Sequence, residues 1–206
     1  MKARFFIALC LLAALAFVIS PRSTAQDKKP EEDKPKKEKF SALAYLPAGA
    51  GPAMVGAGAR TNVDLYLDSY TSDAEAKSMA AALLEGGSDH LLKALEKADT
   101  RGKVRLVGRA GFYDFKLVRS HQMEGGRRVY AIGDRPMGFL EMYAGSRSQD
   151  YPFGILQLDL KPNKKGREEG TGLLMYAAKI KVLEGNRIEV ETYGIEPIKL
   201  LGVRKL

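Results

Sequence analysis

The residues whose types and spacing best suit acid–base chemistry lie between Asp134 and Tyr151: Asp134-Arg135, Glu141, Arg147, Asp150 and Tyr151, with Pro136 and Pro152 beside them. If they sit at strand ends and converge on one rim of a sheet, their carboxylates can act as an acid and base pair on a glycosidic bond. The same side chains can hold a polar ligand through ion pairs and hydrogen bonds. An Asp or Arg beside a turn more commonly caps backbone groups or fixes a loop with an ion pair. The expectation is a binding rim over Asp134, Arg135, Glu141, Arg147, Asp150 and Tyr151, with no catalytic residue assigned.

Other chemistries find less support. The chain has two histidines, His90 and His121, and neither HxH nor HExxH spacing, so no metal site is expected and both are read as solvated. Ser120 and His121 are adjacent, and neighbours on an extended segment point to opposite faces, which is wrong for a nucleophile and its base. No GxSxG elbow occurs. The glycines between Pro47 and Ala59 match neither the dinucleotide nor the phosphate-loop pattern and read as a surface loop, so no cofactor is expected. Tyr113, Phe115, Tyr130, Phe139, Tyr143, Tyr151, Phe153 and Tyr176 read mainly as core, and without tryptophan a sugar platform would depend on tyrosine.

What carries these residues begins at the N-terminus. Lys2 and Arg4 precede an apolar run of 15 residues, Phe5 to Ile19, followed by Ser23 and Ala25 at the small-residue positions of a cleavage site. Residues 1–25 are expected to be a signal peptide, too short to span a bilayer as a helix, where about 20 residues are needed. The mature chain would start at Gln26, without the only cysteine, Cys10. Residues 26–39 hold six lysines and five acids with no apolar residue but proline, and are expected to form a disordered charged linker. Residues 40–206 are expected to be a single domain, large enough to bury a core without disulfides. Of the formal charge of +8, three leave with the signal, and the modest surplus that remains suits solubility and weak attraction to anionic envelope surfaces. It shows no basic stripe interleaved with aromatics, so nucleic acid is not an expected partner.

Within that domain Val63, Leu65 and Leu67 alternate with polar neighbours, as in a half-buried strand. Ser72-Asp-Ala-Glu75 is a capping box, followed by Ala76, Met79, Ala80, Leu83 and Leu84 at helical spacing. Gly86-Gly87 is expected to stop that helix with Gly86 left-handed, and Ser88 to cap a second one ending near Gly102. Strands are expected at 40–46, 62–70, 103–107, 112–119, 127–132, 139–143, 153–160, 173–183, 187–193 and 198–203, joined by short turns that imply antiparallel neighbours. The fold class is α+β, a curved or partly closed antiparallel sheet of about eight strands with a two-helix hairpin packed on it.

The series Tyr70-Thr-Ser-Asp-Ala-Glu75, Gly125-Gly-Arg-Arg-Val-Tyr130, Asp134-Arg-Pro136, Phe139-Leu-Glu141, Ser148-Gln-Asp-Tyr-Pro-Phe153 and Tyr193-Gly-Ile-Glu-Pro197 resembles a family of uncharacterised exported bacterial proteins. The likeness covers nearly all of the region after the linker and implies export and one domain, but no activity, ligand or catalytic residue. The expected function is a periplasmic or extracellular non-catalytic binding module for an envelope protein, a glycan or a small apolar ligand. A carboxylate-dependent hydrolase of envelope or extracellular polymers is the competing class.

Overall fold

The computed structural model describes residues 4–5, 37–45, 60–108, 110–138, 150–193 and 196–206. Its strands are β1 (Arg4–Phe5), β2 (Glu38–Tyr45), β3 (Arg60–Leu67), β4 (Gly102–Leu106), β5 (Tyr113–Phe115), β6 (Leu117–Met123), β7 (Gly126–Ile132), β8 (Phe153–Pro162), β9 (Glu168–Leu183), β10 (Arg187–Thr192) and β11 (Ile198–Lys205). The one α-helix among the described residues, α1 (Asp73–Glu96), lies between β3 and β4.

All strand pairs are antiparallel, in the order β5-β4-β3-β2-β11-β9-β8-β7-β6. The two ends of that order are consecutive in sequence. β5 and β6 are two parts of one stave broken at Lys116, the first pairing with β4 and the second with β7. The seam is bridged by backbone bonds from Lys116 N to Ile132 O (2.9 Å) and Arg101 N to Phe115 O (2.8 Å), and by Thr71, which donates to Val118 O and accepts from Val118 N. The sheet is thus a nearly closed barrel of eight staves running up and down in chain order. β9 is long enough to pair with β11 through its first half and with β10 through its second, and β1 adds to the outer edge of β10 opposite Glu191 and Val190.

Alternation fills the barrel. Phe40, Ala42 and Ala44 of β2, Val63, Leu65 and Leu67 of β3, Val104 and Leu106 of β4, and Leu156, Leu158 and Leu160 of β8 point inward and are buried. A second core lies outside the barrel wall, where Met79, Leu83, Leu91 and Leu95 of α1 cover Leu117, Ile132, Phe153, Ile155, Met175, Ile180 and Val190. β8 is therefore buried on both faces, which is why its sequence is nearly continuous in apolar residues.

The two expected helices form one element with an interior break. Gly86 (φ −137°, ψ 19°) and Gly87 (φ 65°, ψ −154°) are both non-helical, and it is Gly87, not Gly86, that takes positive φ. Ser88 does not act through its side chain as a cap; its hydroxyl donates to Ile180 O (2.6 Å) and ties the break to β9. The Ser72–Glu75 capping box is present, and Arg101–Glu75 and Arg119–Asp73 ion pairs (both 2.6 Å) fasten that end of α1 to the sheet. Glu38 and Lys39, read with the linker, are instead the first residues of β2, because basic side chains neutralise Glu38 where it enters the barrel rim. β9 begins at Glu168, so the turn before it is Asn163–Arg167 rather than a loop reaching Gly172. The strand expected at 139–143 and the glycine-rich segment 47–59 lie outside the described residues.

Candidate functional site

Of the expected polar residues, Asp134, Arg135, Asp150 and Tyr151 are described, and they lie between the end of β7 and the start of β8, at the upper rim of the barrel. Asp134 and Arg135 form an ion pair (3.3 Å), and Arg135 also reaches Asp114 (3.4 Å). The Arg135 carbonyl accepts from the hydroxyl of buried Tyr113, which in turn accepts from Gly154 N (3.1 Å). Met137, two residues on, is fully buried in the barrel core, its amide bonded to Tyr176 O (2.7 Å). This segment is therefore a plug, and the Asp134–Arg135 pair sits on its outer side. Tyr151 belongs to a different group: its hydroxyl donates to Glu191 (2.7 Å), its ring meets Tyr193 edge-on at 5.3 Å, and Lys181 also pairs with Glu191. The bond to Glu191, helped by burial, pushes the Tyr151 hydroxyl up to about 12. Asp150 is exposed, and Glu141 and Arg147 lie outside the described residues. No contact joins the Asp134–Arg135 pair to Tyr151 among the interactions described.

The lower rim carries a cluster with no signature in the sequence. Arg127 binds Glu168 through Nε (2.5 Å) and Nη2 (2.7 Å), Glu38 through Nη2 (3.0 Å), and the Tyr70 hydroxyl through Nη1 (2.7 Å). Tyr70 donates to Glu38 (2.5 Å), and Lys205 bridges Glu38 (2.6 Å) and Glu168 (3.1 Å). Glu38 is 8% exposed and Arg127 13%. Burial works to raise the Glu38 pKa, but hydrogen bonds from Lys205, Tyr70 and Arg127 hold it below the ordinary value; the bond from Arg127 does the same for Glu168. An open groove of about 740 Å³ lies over this cluster, lined by Glu38, Arg127, Arg167, Glu168 and Lys205. Glu38, Arg127, Glu168 and Lys205 are spent on one another, with only exposed Arg167 making no ion pair among the described residues, which suits a rim closure better than a ligand site.

A third surface is assembled from four strands. α1 covers the wall from β6 to β10, and among the described residues no helix packs on the outer face of β11-β2-β3-β4. There the register aligns Lys199–Tyr45–Arg60 in one row, Leu201–Leu43–Asn62 in the next, then Arg204–Ser41–Asp64–Arg105, and finally Lys39–Tyr66–Lys103. Val107 extends the second row, its amide bonded to Asn62 O, and Phe112 lies against Tyr66 at 6.2 Å. Six cations thus face one carboxylate, Asp64, which two bonds from Arg105 hold down in pKa. Glu169 and Asp114 flank the face on neighbouring strands. Lys39 stands 5.3 Å from the Tyr66 ring centre, Arg105 5.9 Å from Tyr66 and 5.7 Å from Phe112, and Arg60 5.9 Å from Tyr45, distances suited to cation–π attraction. The expectation that basic and aromatic residues do not interleave holds along the chain and fails across the strands. Outward positions alternate with core positions in each strand, so four separate period-two patterns must be aligned before the face can be seen.

Among the described residues no three His, Cys, Asp or Glu side chains are grouped to hold a metal, and no helix is long and apolar enough to cross a membrane. Compared with protein families, curated proteins and solved structures, the chain matches none.

Proposed function

We propose that the protein is an exported, non-catalytic binding module of the cell envelope whose working surface is the outer face of β11-β2-β3-β4. One observation carries this reading: the helix shields one side of the barrel, and the side that no described helix covers bears six cations and one acid around aromatic and apolar side chains. Such a face concentrates positive potential toward an anionic target. Hydrolysis has weaker support, since a general acid needs a carboxyl with a raised pKa. Among the described residues the carboxylates with displaced pKa values, Glu38, Asp64, Glu75 and Glu168, are lowered, and of the candidate carboxylates Glu141 lies outside those residues. Export follows from the basic, apolar and small-residue order of residues 1–25, and it accords with the resemblance to exported proteins.

Fractionation of cells producing the full chain tests the proposal. The expected result is an N-terminus at Gln26 and recovery with the envelope. Lys39→Gln/Lys103→Gln/Lys199→Gln should release the protein to the soluble fraction, while Arg135→Ala/Tyr151→Phe stays bound. Release by the rim substitutions alone would move the working surface to the upper rim and overturn the assignment.

A further inference from the structure

We infer that the bare face docks on the surface of a bilayer containing anionic phospholipid, an inference that rests on the binding-module reading above. Three features of the face select this partner. Its rows span from Lys199–Tyr45–Arg60 to Lys39–Tyr66–Lys103, about 20 Å along the strands and about 14 Å across them. A single small anion cannot meet both basic rows, whereas a surface of phosphates can. One of the two inner rows is largely apolar, Leu201–Leu43–Asn62–Val107, with Leu201 41% and Val107 45% exposed, and Phe112, 49% exposed, lies by Tyr66 at the edge of the face. A hydrated polyanion has nothing to offer those side chains, but the headgroup and acyl boundary accepts them while long basic side chains reach to phosphate. Finally, cations stand close to the Tyr45, Tyr66 and Phe112 rings, so these rings are poor platforms for stacking a sugar. The docked orientation follows: the barrel lies on its side, with α1 facing away from the bilayer.

The processed protein is tested for sedimentation with vesicles of phosphatidylcholine alone and of phosphatidylcholine with phosphatidylglycerol, and separately for retention on immobilised heparin. Binding is expected only to the anionic vesicles and to weaken with salt. Lys39→Gln/Lys103→Gln should lower partitioning about 25-fold, at roughly fivefold per basic residue. If that pair unfolds by circular dichroism, Arg60→Gln/Lys199→Gln from the opposite row serves the same purpose. The chain has no tryptophan, so Leu201→Trp provides a single reporter whose emission should shift to the blue on vesicle binding. Leu84→Trp, on the exposed side of α1, should not respond. Heparin retention without vesicle binding would sink the lipid inference and leave the binding module standing with a soluble polyanion as partner. A response from Leu84→Trp but not Leu201→Trp would place the bilayer on the wrong side and overturn both the face and the inference. Absence of binding to either target would remove both readings.

Discussion

At the scale of single residues, Arg127 and Tyr113 hold opposite rims of the barrel by different means. Arg127 answers two carboxylates and a phenol, and truncating one partner of a buried ion pair leaves the other charged and unpaired. Arg127→Ala is expected to destabilise in urea unfolding by less than the roughly 3–5 kcal/mol of a fully unpaired buried charge, since Lys205 still answers both carboxylates. The same cluster makes stability depend on acid. Glu38 and Glu168 have lower pKa values folded than unfolded, so on acidification the unfolded chain takes up protons first. Their contribution is full above the ordinary carboxylate range and is lost as pH falls from about 5 through the folded values. Urea midpoints measured against pH should drop across that window, with a shallower slope in Glu38→Gln/Glu168→Gln. Tyr113 works by close approach: a Cβ on Gly133 would lie 2.0 Å, and one on Gly154 2.5 Å, from its hydroxyl. Gly133→Ala must displace the buried ring, and Tyr113→Phe strands Gly154 N and Arg135 O at a cost of about 1–3 kcal/mol. Both variants should melt earlier than the parent.

At the scale of elements, the break in α1 gives a contrast between neighbouring glycines. Gly87 occupies φ 65°, ψ −154°, a region open to essentially no residue with a side chain. At Gly86 the atoms nearest an added Cβ belong to the ring of exposed His90, which can swing aside. Gly87→Ala is therefore expected to lower unfolding free energy by about 1–3 kcal/mol, and Gly86→Ala by clearly less. The start of this helix was legible because a capping box is a local pattern: Ser72 and Glu75 satisfy each other's backbone groups within one turn. The β9–β10 hairpin was legible for the same reason, its alternation meeting across Gly185. The break itself was misread at Gly86 because two adjacent glycines look alike until Ser88 is seen to bond with Ile180 instead of capping. The Arg127 cluster left no trace in spacing, since Glu38 and Lys205 are brought together only by the pairing of β2 with β11. Asp134 and Arg135 follow the end of β7, and Asp150 and Tyr151 precede β8, but Met137 turns into the barrel core, which a sequence of Asp, Arg and Pro does not reveal, and Glu141 and Arg147 lie outside the described residues.

At the scale of the whole molecule, closure of the barrel places the start of β2 and the end of β11 side by side: Phe40 pairs with Lys205, and Leu206 N donates to Lys39 O at 2.9 Å. A chain shortened to begin at Lys37 keeps Glu38 and should melt with a chain beginning at Gln26, since both lack β1. One beginning at Phe40 loses the shared acid of the lower rim and should melt earlier, as scanning calorimetry would show. This adjacency of first and last staves also means that chain order is incidental to the architecture. A short glycine–serine bridge from Leu206 to Lys37, with new ends cut between exposed Glu184 and Gly185, would give a circular permutant that retains every stave pairing. Its far-ultraviolet spectrum should match that of the native connectivity, with only the β9–β10 turn set free.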